Sequence, residues 1–535
     1  MSLKSNKSLV KHKLFNMKMI KAIFFAGLLI VTASSCKKQL DINTDPNNAV
    51  IANPKLVLPQ ALTGTASNLN GFNSMGAQLV GYSANAGGYG GFGTSITYNF
   101  SSSDFSGRWS NTYDNLEDYQ YIINYSKDKP EYAYYGGAAR AMKALSFQLL
   151  VDAYNDVPYS QALQGAAYLT PVYDPAKDIY KSLATDLDSA MAYFVKGDAT
   201  SGVTPLSTYD VLFKGDVVKW KQFINTLKLR LIVRANGKVT FANTTFSADG
   251  FLTSDALINP GYVRDNGRLN PKWSTWGYTA TGDANKAWMP NKYVMAFYDG
   301  TKLIDAGRGA NTYYKFPLTG TNQLGVEGTS IQSSPSGSFW YPLASPRVYS
   351  TAGSSPGPLK GPTAGYPVIT AAEAYFLRAE AALQGITSDA VQANFDAGVA
   401  AAFKYTYALE NGSTYVSDPA AAVTQYRADN VTSYLVNFAL ATSNAQKLEA
   451  IITQKYIALN YVNSEEAWNE YRRTGYPTVV TGGPAYATFA STVSESTRAD
   501  KLPGRILYPS QEGSYNTTNL PKGITPFTST IFWAK

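Results

Sequence analysis

The sequence has a single histidine, His12, and a single cysteine, Cys36. Both lie in the N-terminal segment or at its edge, so the rest of the chain cannot form a Ser-His-Asp triad, a Cys-His pair or a histidine-ligated zinc site. An enzyme made from this chain would need carboxylate, lysine or tyrosine side chains as its acid and base. We predict no catalytic activity, no cofactor and no metal site, although the residue types alone leave catalysis by carboxylate, lysine or tyrosine side chains open.

The chain after residue 35 also lacks an excess of positive charge. The formal net charge is +8, but residues 1–35 hold six lysines and no acidic residue. The remainder carries 40 basic and 38 acidic side chains, so it has no broad basic surface for the phosphates of nucleic acid. Nucleic acid is therefore not a predicted partner.

The N-terminal segment has the pattern of a secretory signal. Two lysines precede the apolar run 22–31, which is followed by four small residues and then Cys36. A run of this length is too short to cross about 30 Å of hydrocarbon, so the pattern does not indicate a membrane span. We predict a lipoprotein signal peptide over residues 1–35, with Cys36 as the lipid anchor of a polar tether over residues 36–50.

The rest of the chain has a globular composition with repeated helical patterns. Residues 136–163 carry two apolar stripes at helical spacing, which predicts a helix buried between neighbours and ended by Pro158. Thr370 and Glu373 form a capping-box pattern at the start of another helix. Further helical runs lie at 109–123, 174–194, 216–236, 391–403, 448–459 and 466–473. We predict one mostly α-helical domain over residues 51–535, a scaffold of helix pairs that resembles tetratricopeptide repeats without their regular period.

Residues 238–369 interrupt the helical pattern. They are rich in Gly, Ser, Thr, Asn and Pro, predict only a short helix near residues 293–298, and hold four of the eight tryptophans. Loops of this length in a compact domain commonly serve binding. We therefore predict that this aromatic-rich loop region is the functional surface. The alternative is that its aromatic residues fasten the loops to the helices.

Five segments together resemble the SusD/RagB family of nutrient-binding outer-membrane lipoproteins. They are the lipobox at Cys36 with LDINTDPNNA, followed by LVDAYNDVPYSQAL, YPVITAAEAYFLRAEAAL, EAWNEYRRTGYP and RILYPSQEGSYN. They occur in the family's order along nearly the whole chain. Two features depart from the family pattern. The family frequently has the motif Asp-Pro-Arg, whereas in this chain two residues separate Asp305 from Arg308. The family also commonly has an acidic export signal after the lipid cysteine, and here Lys37 and Lys38 take its place.

The resemblance implies a tetratricopeptide-like helical scaffold with long irregular loop insertions. It implies anchoring in the outer membrane through acylated Cys36, with the protein facing the cell exterior. It also implies a SusC-like TonB-dependent transporter as partner, over which the lipoprotein sits as a lid and captures oligosaccharide or peptide. The alternatives are a surface-anchored glycan-cleaving enzyme, a peptide-binding member of the same family, and a structural subunit whose loops bind only the transporter.

A sugar site needs flat apolar rings against the C–H faces of the sugar and polar groups for its hydroxyls. The loop region supplies aromatic rings with amide and guanidinium groups just upstream. The glycine-rich segment 80–98 matches GxGxxG but lacks the flanking strand and helix of a βαβ unit, so we predict an aromatic surface there. We hypothesise that this segment forms a facing wall. The predicted ligand-binding residues are Tyr82, Tyr89, Phe92, Asn266, Arg268, Trp273, Trp276, Tyr278 and Trp288.

The most visible acidic cluster is Glu465, Glu466 and Glu470. The last two share a helix face and could be a catalytic pair, but Arg472 and Arg473 favour ion pairs instead. A second polar group near the C-terminus is predicted to be a buried tie between this segment and the helices. Its members are Arg505, Tyr508, Glu512 and Asn516.

Overall fold

The computed structural model describes residues 52–328, 338–340 and 356–535. The predicted signal peptide, the anchor at Cys36 and its tether lie outside these residues. Helices dominate the described part, which confirms the predicted mostly α-helical fold. In chain order they are α1 (Pro54–Leu79), α2 (Thr94–Thr97), α3 (Ser106–Ser126), α4 (Ala133–Tyr154), α5 (Ala176–Ala199), α6 (Val217–Arg234), α7 (Pro271–Trp276), α8 (Lys292–Met295), α9 (Ala306–Thr312), α10 (Ala371–Leu383), α11 (Val391–Tyr407), α12 (Pro419–Asp429), α13 (Asn444–Leu459), α14 (Ser464–Thr474) and α15 (Ser510–Tyr515).

Consecutive long helices pack against each other as the helix-pair prediction requires. Contacts join α3 to α4, α4 to α5, α5 to α6, α10 to α11 and α13 to α14. Helix α1 packs on both α3 and α14, while α10 contacts α6 and α13, so the N-terminal and C-terminal pairs share one core. Residues Pro54–Lys535 form one compact unit. Within the described ranges, no helix combines the length and the apolar character that a membrane crossing requires.

Helix α4 is buried along nearly its whole length, as its two apolar stripes predict. It ends at Tyr154, before the predicted stop at Pro158, because Asn155 adopts a positive φ of 68° that leaves the helical conformation. At the start of α10, Thr370 accepts a hydrogen bond from the backbone N–H of Glu373 at 3.3 Å. The carboxylate of Glu373 is engaged elsewhere, with Arg230 at 3.2 Å.

The aromatic-rich loop region contains more regular structure than its composition predicts. The expected short helix corresponds to α8, but α7 and α9 are also present. Two short antiparallel sheets fix the loops. Strand β1 (Ser83–Asn85) pairs with β3 (Trp288–Pro290), and β2 (Ala256–Ile258) pairs with β4 (Tyr366–Ile369). Each sheet joins segments far apart in the sequence, which is how the loops are held on the helical scaffold.

Candidate ligand-binding site

The pairing of β1 with β3 brings two aromatic loops together. Asn85 lies opposite Trp288, and the N–H of Ala86 donates to the carbonyl of Ala287 at 2.8 Å. Beyond this ladder the ring of Phe92 meets the ring of Trp288 edge-on, with centroids 5.2 Å apart. Both rings are half-buried, so part of each faces solvent. We call Phe92 and Trp288 the aromatic patch.

A column of buried rings supports the aromatic patch from below. Trp288 contacts Trp276 at a centroid distance of 6.5 Å, and Trp276 meets Tyr461 at 4.7 Å with near-perpendicular rings. Trp340 lies 3.7 Å from Tyr461 on the same column. Edge-to-face pairs of this kind add about 0.5–1.5 kcal/mol each beyond the burial of their area. Trp288 therefore packs on buried rings on one side, while part of its own ring faces solvent.

Four residues predicted to contact ligand are buried instead. Tyr82, Trp273, Trp276 and Tyr278 have exposed fractions of 0%, 2%, 2% and 3%. The hydroxyl of Tyr82 donates to the carbonyl of Tyr456 at 2.5 Å, and that of Tyr278 accepts from the N–H of Ser338 at 3.0 Å. In this structure these rings support the loops and do not face solvent, which is the alternative interpretation of the loop aromatics.

The burial of the two tryptophans follows from a helix start that the loop prediction overlooked. The side chain of Asn270 accepts hydrogen bonds from the N–H groups of Lys272 at 2.8 Å and Trp273 at 3.2 Å. Pro271 occupies the first helical position, where its fixed φ favours a helix. Trp273 and Trp276 are then three residues apart and share the inward face of α7. The Asn-Pro pair was the sequence signal for this arrangement.

The remaining predicted residues are exposed but fall into two groups. Tyr89, with 37% of its surface exposed, lies on the same glycine-rich loop as Phe92. Asn266 and Arg268 are exposed on a separate turn, closed by a hydrogen bond from the N–H of Val263 to the carbonyl of Arg268 at 2.9 Å. Among the described residues, no side-chain hydrogen bond or ring contact joins that turn to the aromatic patch.

Polar groups that the sequence did not single out lie just before Trp288. An isolated bridge between Tyr278 and Ala284 closes a small hairpin. At its exposed tip the hydroxyl of Thr281 donates to the carboxylate of Asp283 at 2.7 Å. Hydroxyl and carboxylate groups are partners that the hydroxyls of a sugar require, and Thr281 and Asp283 precede Trp288 by seven and five residues in the sequence.

Two members of the acidic cluster on α14, Glu466 and Glu470, belong to a buried ion network, whereas Glu465 lies 3.8 Å from Arg472 and has no hydrogen-bond partner among the described residues. Glu466 lies against Arg234 and Lys455, and Glu470 accepts from Lys455 at 2.8 Å and contacts Arg473. Burial alone would raise the pKa of Glu466, but Arg234 and Lys455 more than offset it and hold that pKa well below its ordinary value. A substrate has no access to these carboxylates in this structure. The ion-pair prediction is confirmed, although the main partners come from α6 and α13.

Three members of the C-terminal polar group form the predicted buried tie, whereas Glu512 is half-buried and accepts from the hydroxyl of Tyr173 at 2.6 Å. The guanidinium of Arg505 donates to the carbonyl of Tyr154 at the end of α4. The hydroxyl of Tyr508 donates to the carbonyl of Asp156 at 2.7 Å, and the amide of Asn516 donates to that of Pro171 at 2.7 Å. These bonds satisfy carbonyl groups that the end of α4 and the loop after it leave free.

Comparisons with known proteins agree with this architecture. A family model described as "Starch-binding associating with outer membrane" matches residues 46–254, and one described as "Susd and RagB outer membrane lipoprotein" matches residues 352–529. Among curated proteins no significant match was found.

Solved structures of SusD homologues share the fold. One from Bacteroides fragilis is 19% identical with a TM-score of 0.65, over 90% of this chain and 100% of that chain. A chitin-binding SusD homologue from Flavobacterium johnsoniae is 21% identical with a TM-score of 0.64, over 89% of this chain and 99% of the other. The two family models together match most of the sequence, and the chain therefore belongs to the SusD-like family of outer-membrane lipoproteins.

Proposed function

We propose that this protein captures oligosaccharide at the outer-membrane surface and delivers it to a SusC-like TonB-dependent transporter. In this proposal acylated Cys36 holds it on the membrane with the folded domain facing the cell exterior. The protein binds and releases its ligand without cleaving it. The observation that carries the proposal is the aromatic patch, in which two distant segments leave Phe92 and Trp288 half-exposed above a rigid aromatic column.

The chemistry of the patch suits a glycan. A sugar ring presents apolar C–H faces that cover an indole or phenyl ring, and its hydroxyls pair with polar side chains around such a ring. Each stacked ring contributes about 0.5–1.5 kcal/mol, which gives weak and reversible binding. Two solved relatives are described as chitin-binding proteins, so N-acetylglucosamine oligomers are the first ligands to test.

The proposal is tested by titrating the purified protein in detergent with oligosaccharides and peptides, while the same mixtures are assayed for new reducing ends. We expect oligosaccharide binding without cleavage. Because Trp288 is the centre of the patch, Trp288→Ala should weaken binding about tenfold, which corresponds to about 1.4 kcal/mol. Phe92→Ala should weaken it less.

A matched control is Tyr515→Ala, which removes an aromatic ring that is 77% exposed at a different surface. This control should bind like the wild type. Unchanged affinity in both patch variants would refute the assignment of the site, and new reducing ends would favour the glycan-cleaving alternative. Peptide binding alone would favour the peptide-binding alternative.

The transporter partnership has its own test. The transporter should co-purify with the wild-type protein from solubilised outer membranes, and equally with Trp288→Ala, because the patch is proposed to contact ligand. A transporter that never co-purifies or crosslinks with the protein would contradict the partnership while leaving ligand capture intact.

A further inference from the structure

A concave surface is present that does not include the residues of the aromatic patch. It is a cavity of about 640 Å³ between α10, α11, the segment that leads into β2 and the loop that precedes β4. It shares no lining residue with the aromatic patch. Its volume lies within the range of small-molecule sites, about 300–1,000 Å³. We call it the alanine cavity, because Ala397, Ala400 and Ala401 of α11 line one side.

The walls of the alanine cavity combine a methyl surface with tyrosine rings. The three alanines are half-buried and spaced so that they share one face of α11. Tyr375 of α10 is half-buried, and Tyr415 is 41% exposed on a hairpin fixed by its bridge to Ala408. Small residues keep the space open, and the two tyrosines provide flat apolar faces beside it.

Two charged groups in the wall keep unused hydrogen-bonding capacity. The ammonium of Lys360, which is 5% exposed, donates to the carbonyls of Tyr405 at 2.6 Å and Ala408 at 2.7 Å. The protonated form of Lys360 has three donors, so one remains. Asp255 accepts from the N–H of Ala371 at 2.8 Å through one oxygen, and its other oxygen has no partner among the described residues.

Lys360 and Asp255 do not form a direct ion pair, but each changes the pKa of the other. Burial lowers the pKa of Lys360 to about 7, and the nearby carboxylate of Asp255 offsets part of that effect. Burial likewise raises the pKa of Asp255, with the N–H of Ala371 and Lys360 opposing it. Incompletely satisfied polar groups beside a cavity are costly unless a ligand or water completes their hydrogen bonds. A neutral molecule with several hydroxyls can accept from the lysine and donate to the aspartate.

We propose that the alanine cavity is a second carbohydrate site, which binds a single sugar unit or the terminal unit of a short oligosaccharide. Tyr375 and Tyr415 cover the C–H faces of the sugar, and Lys360 and Asp255 pair with its hydroxyls. The cavity wall carries Lys360 and Lys404 together with Asp255 and Glu410, so its formal charges balance and favour a neutral sugar over an acidic one. This site does not depend on the aromatic patch.

The test is a titration of the purified protein with glucose, galactose, mannose and N-acetylglucosamine. Binding is measured by saturation-transfer NMR, which detects weak complexes. We expect at least one sugar to bind with a dissociation constant below about 10 mM. Ala400→Leu fills the cavity and Tyr415→Ala removes an exposed ring, so each should weaken this binding at least about tenfold. Thermal unfolding of each variant establishes that it remains folded.

The variant Trp288→Ala separates this proposal from the function proposed for the aromatic patch. Monosaccharide binding should persist in Trp288→Ala, even where longer oligosaccharides bind more weakly. Failure of every sugar to bind the wild type would overturn the second site. The same conclusion would follow if both cavity variants bound like the wild type, or if Trp288→Ala alone abolished monosaccharide binding.

Discussion

Glu465 is a buried carboxyl group whose ionisation opposes folding. Its side chain is 2% exposed, neither oxygen has a hydrogen-bond partner among the described residues, and Arg472 lies 3.8 Å away. Burial raises the pKa of Glu465 to about 8, with Arg472 offsetting part of the shift. Because the pKa of an unfolded glutamate is about 4.3, the native chain holds a proton that the unfolded chain releases between these values. The stabilisation is complete below the unfolded pKa and is lost as pH rises through about 8.

The variant Glu465→Gln should remove this pH dependence, because an amide does not ionise. The wild type should lose about 1.4 kcal/mol of unfolding free energy for each pH unit between about pH 5 and 8, relative to the variant. Urea unfolding at several pH values measures the difference. Glu495→Gln, at an exposed glutamate, is the control and should follow the wild type. Parallel pH profiles for Glu465→Gln and the wild type would contradict the assignment.

Arg234 is the central cation of the buried ion network. It contacts Asp152 and Glu466 directly and lies 3.6 Å from Glu470, while its own side chain is 1% exposed. Replacing it leaves buried carboxylates without their cation, so Arg234→Met should cost about 3–5 kcal/mol of unfolding free energy. Denaturant unfolding measures this loss, provided that the slope of unfolding free energy against denaturant concentration is the same in the variant and the wild type.

The matched control for Arg234 is an exposed pair between neighbouring helices. Arg427 contacts Asp396 at 2.7 Å, with exposed side-chain fractions of 44% and 38%. Because water and salt screen this pair, Arg427→Met should cost less than about 1 kcal/mol. Equal losses of unfolding free energy in Arg234→Met and Arg427→Met would mean that the buried network does not hold α4, α6 and α14 together.

At the scale of elements, the sequence predicted most of the long helices, but it missed α7 and α12, although Asn270-Pro271 and Asp418-Pro419 are local signals for their starts. Asp216 caps α6 by accepting from the N–H of Lys219 at 3.0 Å, at the place where a predicted helical run begins. Helix α1 was not predicted, because Pro59 and several glycines within it weaken the local pattern. Its helical form depends on packing against α3 and α14, which are distant in sequence. Such tertiary support has no local signal.

Gly76 shows why α1 carries glycine. A Cβ atom there would collide with the backbone of Ser464 and Glu465, where α14 begins. The same junction is fixed by Asn73, whose side chain accepts from the N–H of Ser464 at 2.8 Å. Gly76→Ala should therefore destabilise the protein by about 1–3 kcal/mol, because the two helices must separate.

Gly513 is the matched control for Gly76. It lies in α15, and an added Cβ would meet no atom within 4 Å. Gly513→Ala should be neutral or stabilise the protein by up to about 1 kcal/mol, because alanine favours the helix. Thermal and denaturant unfolding of both variants test the comparison. A harmless Gly76→Ala would show that α1 and α14 can move apart without loss.

At the scale of the whole molecule, the sequence predicted that aromatic loops meet but not which rings face outward. The facing wall depends on the pairing of Asn85 with Trp288, a long-range register that local patterns do not encode. Trp276 and Trp288 have the same chemistry, yet one is 2% exposed and the other half-buried. The helix start at Pro271 decides that difference. Resemblance to a family identified the scaffold, while the exposed surface emerged only from the assembled loops.

Membrane attachment concerns the whole molecule, and the sequence predicts it at Cys36, a residue outside the described ranges. Each buried methylene adds about 0.8 kcal/mol of membrane affinity, so several acyl chains make release negligible. Cys36→Ser should therefore move the protein from the outer-membrane fraction to the soluble fraction and abolish labelling with a fatty-acid probe. Ser34→Ala, which keeps a small residue before the anchor, should stay membrane-bound and labelled. If Cys36→Ser remained in the membrane fraction without its transporter partner present, a surface of the folded domain and not the lipid would provide the attachment.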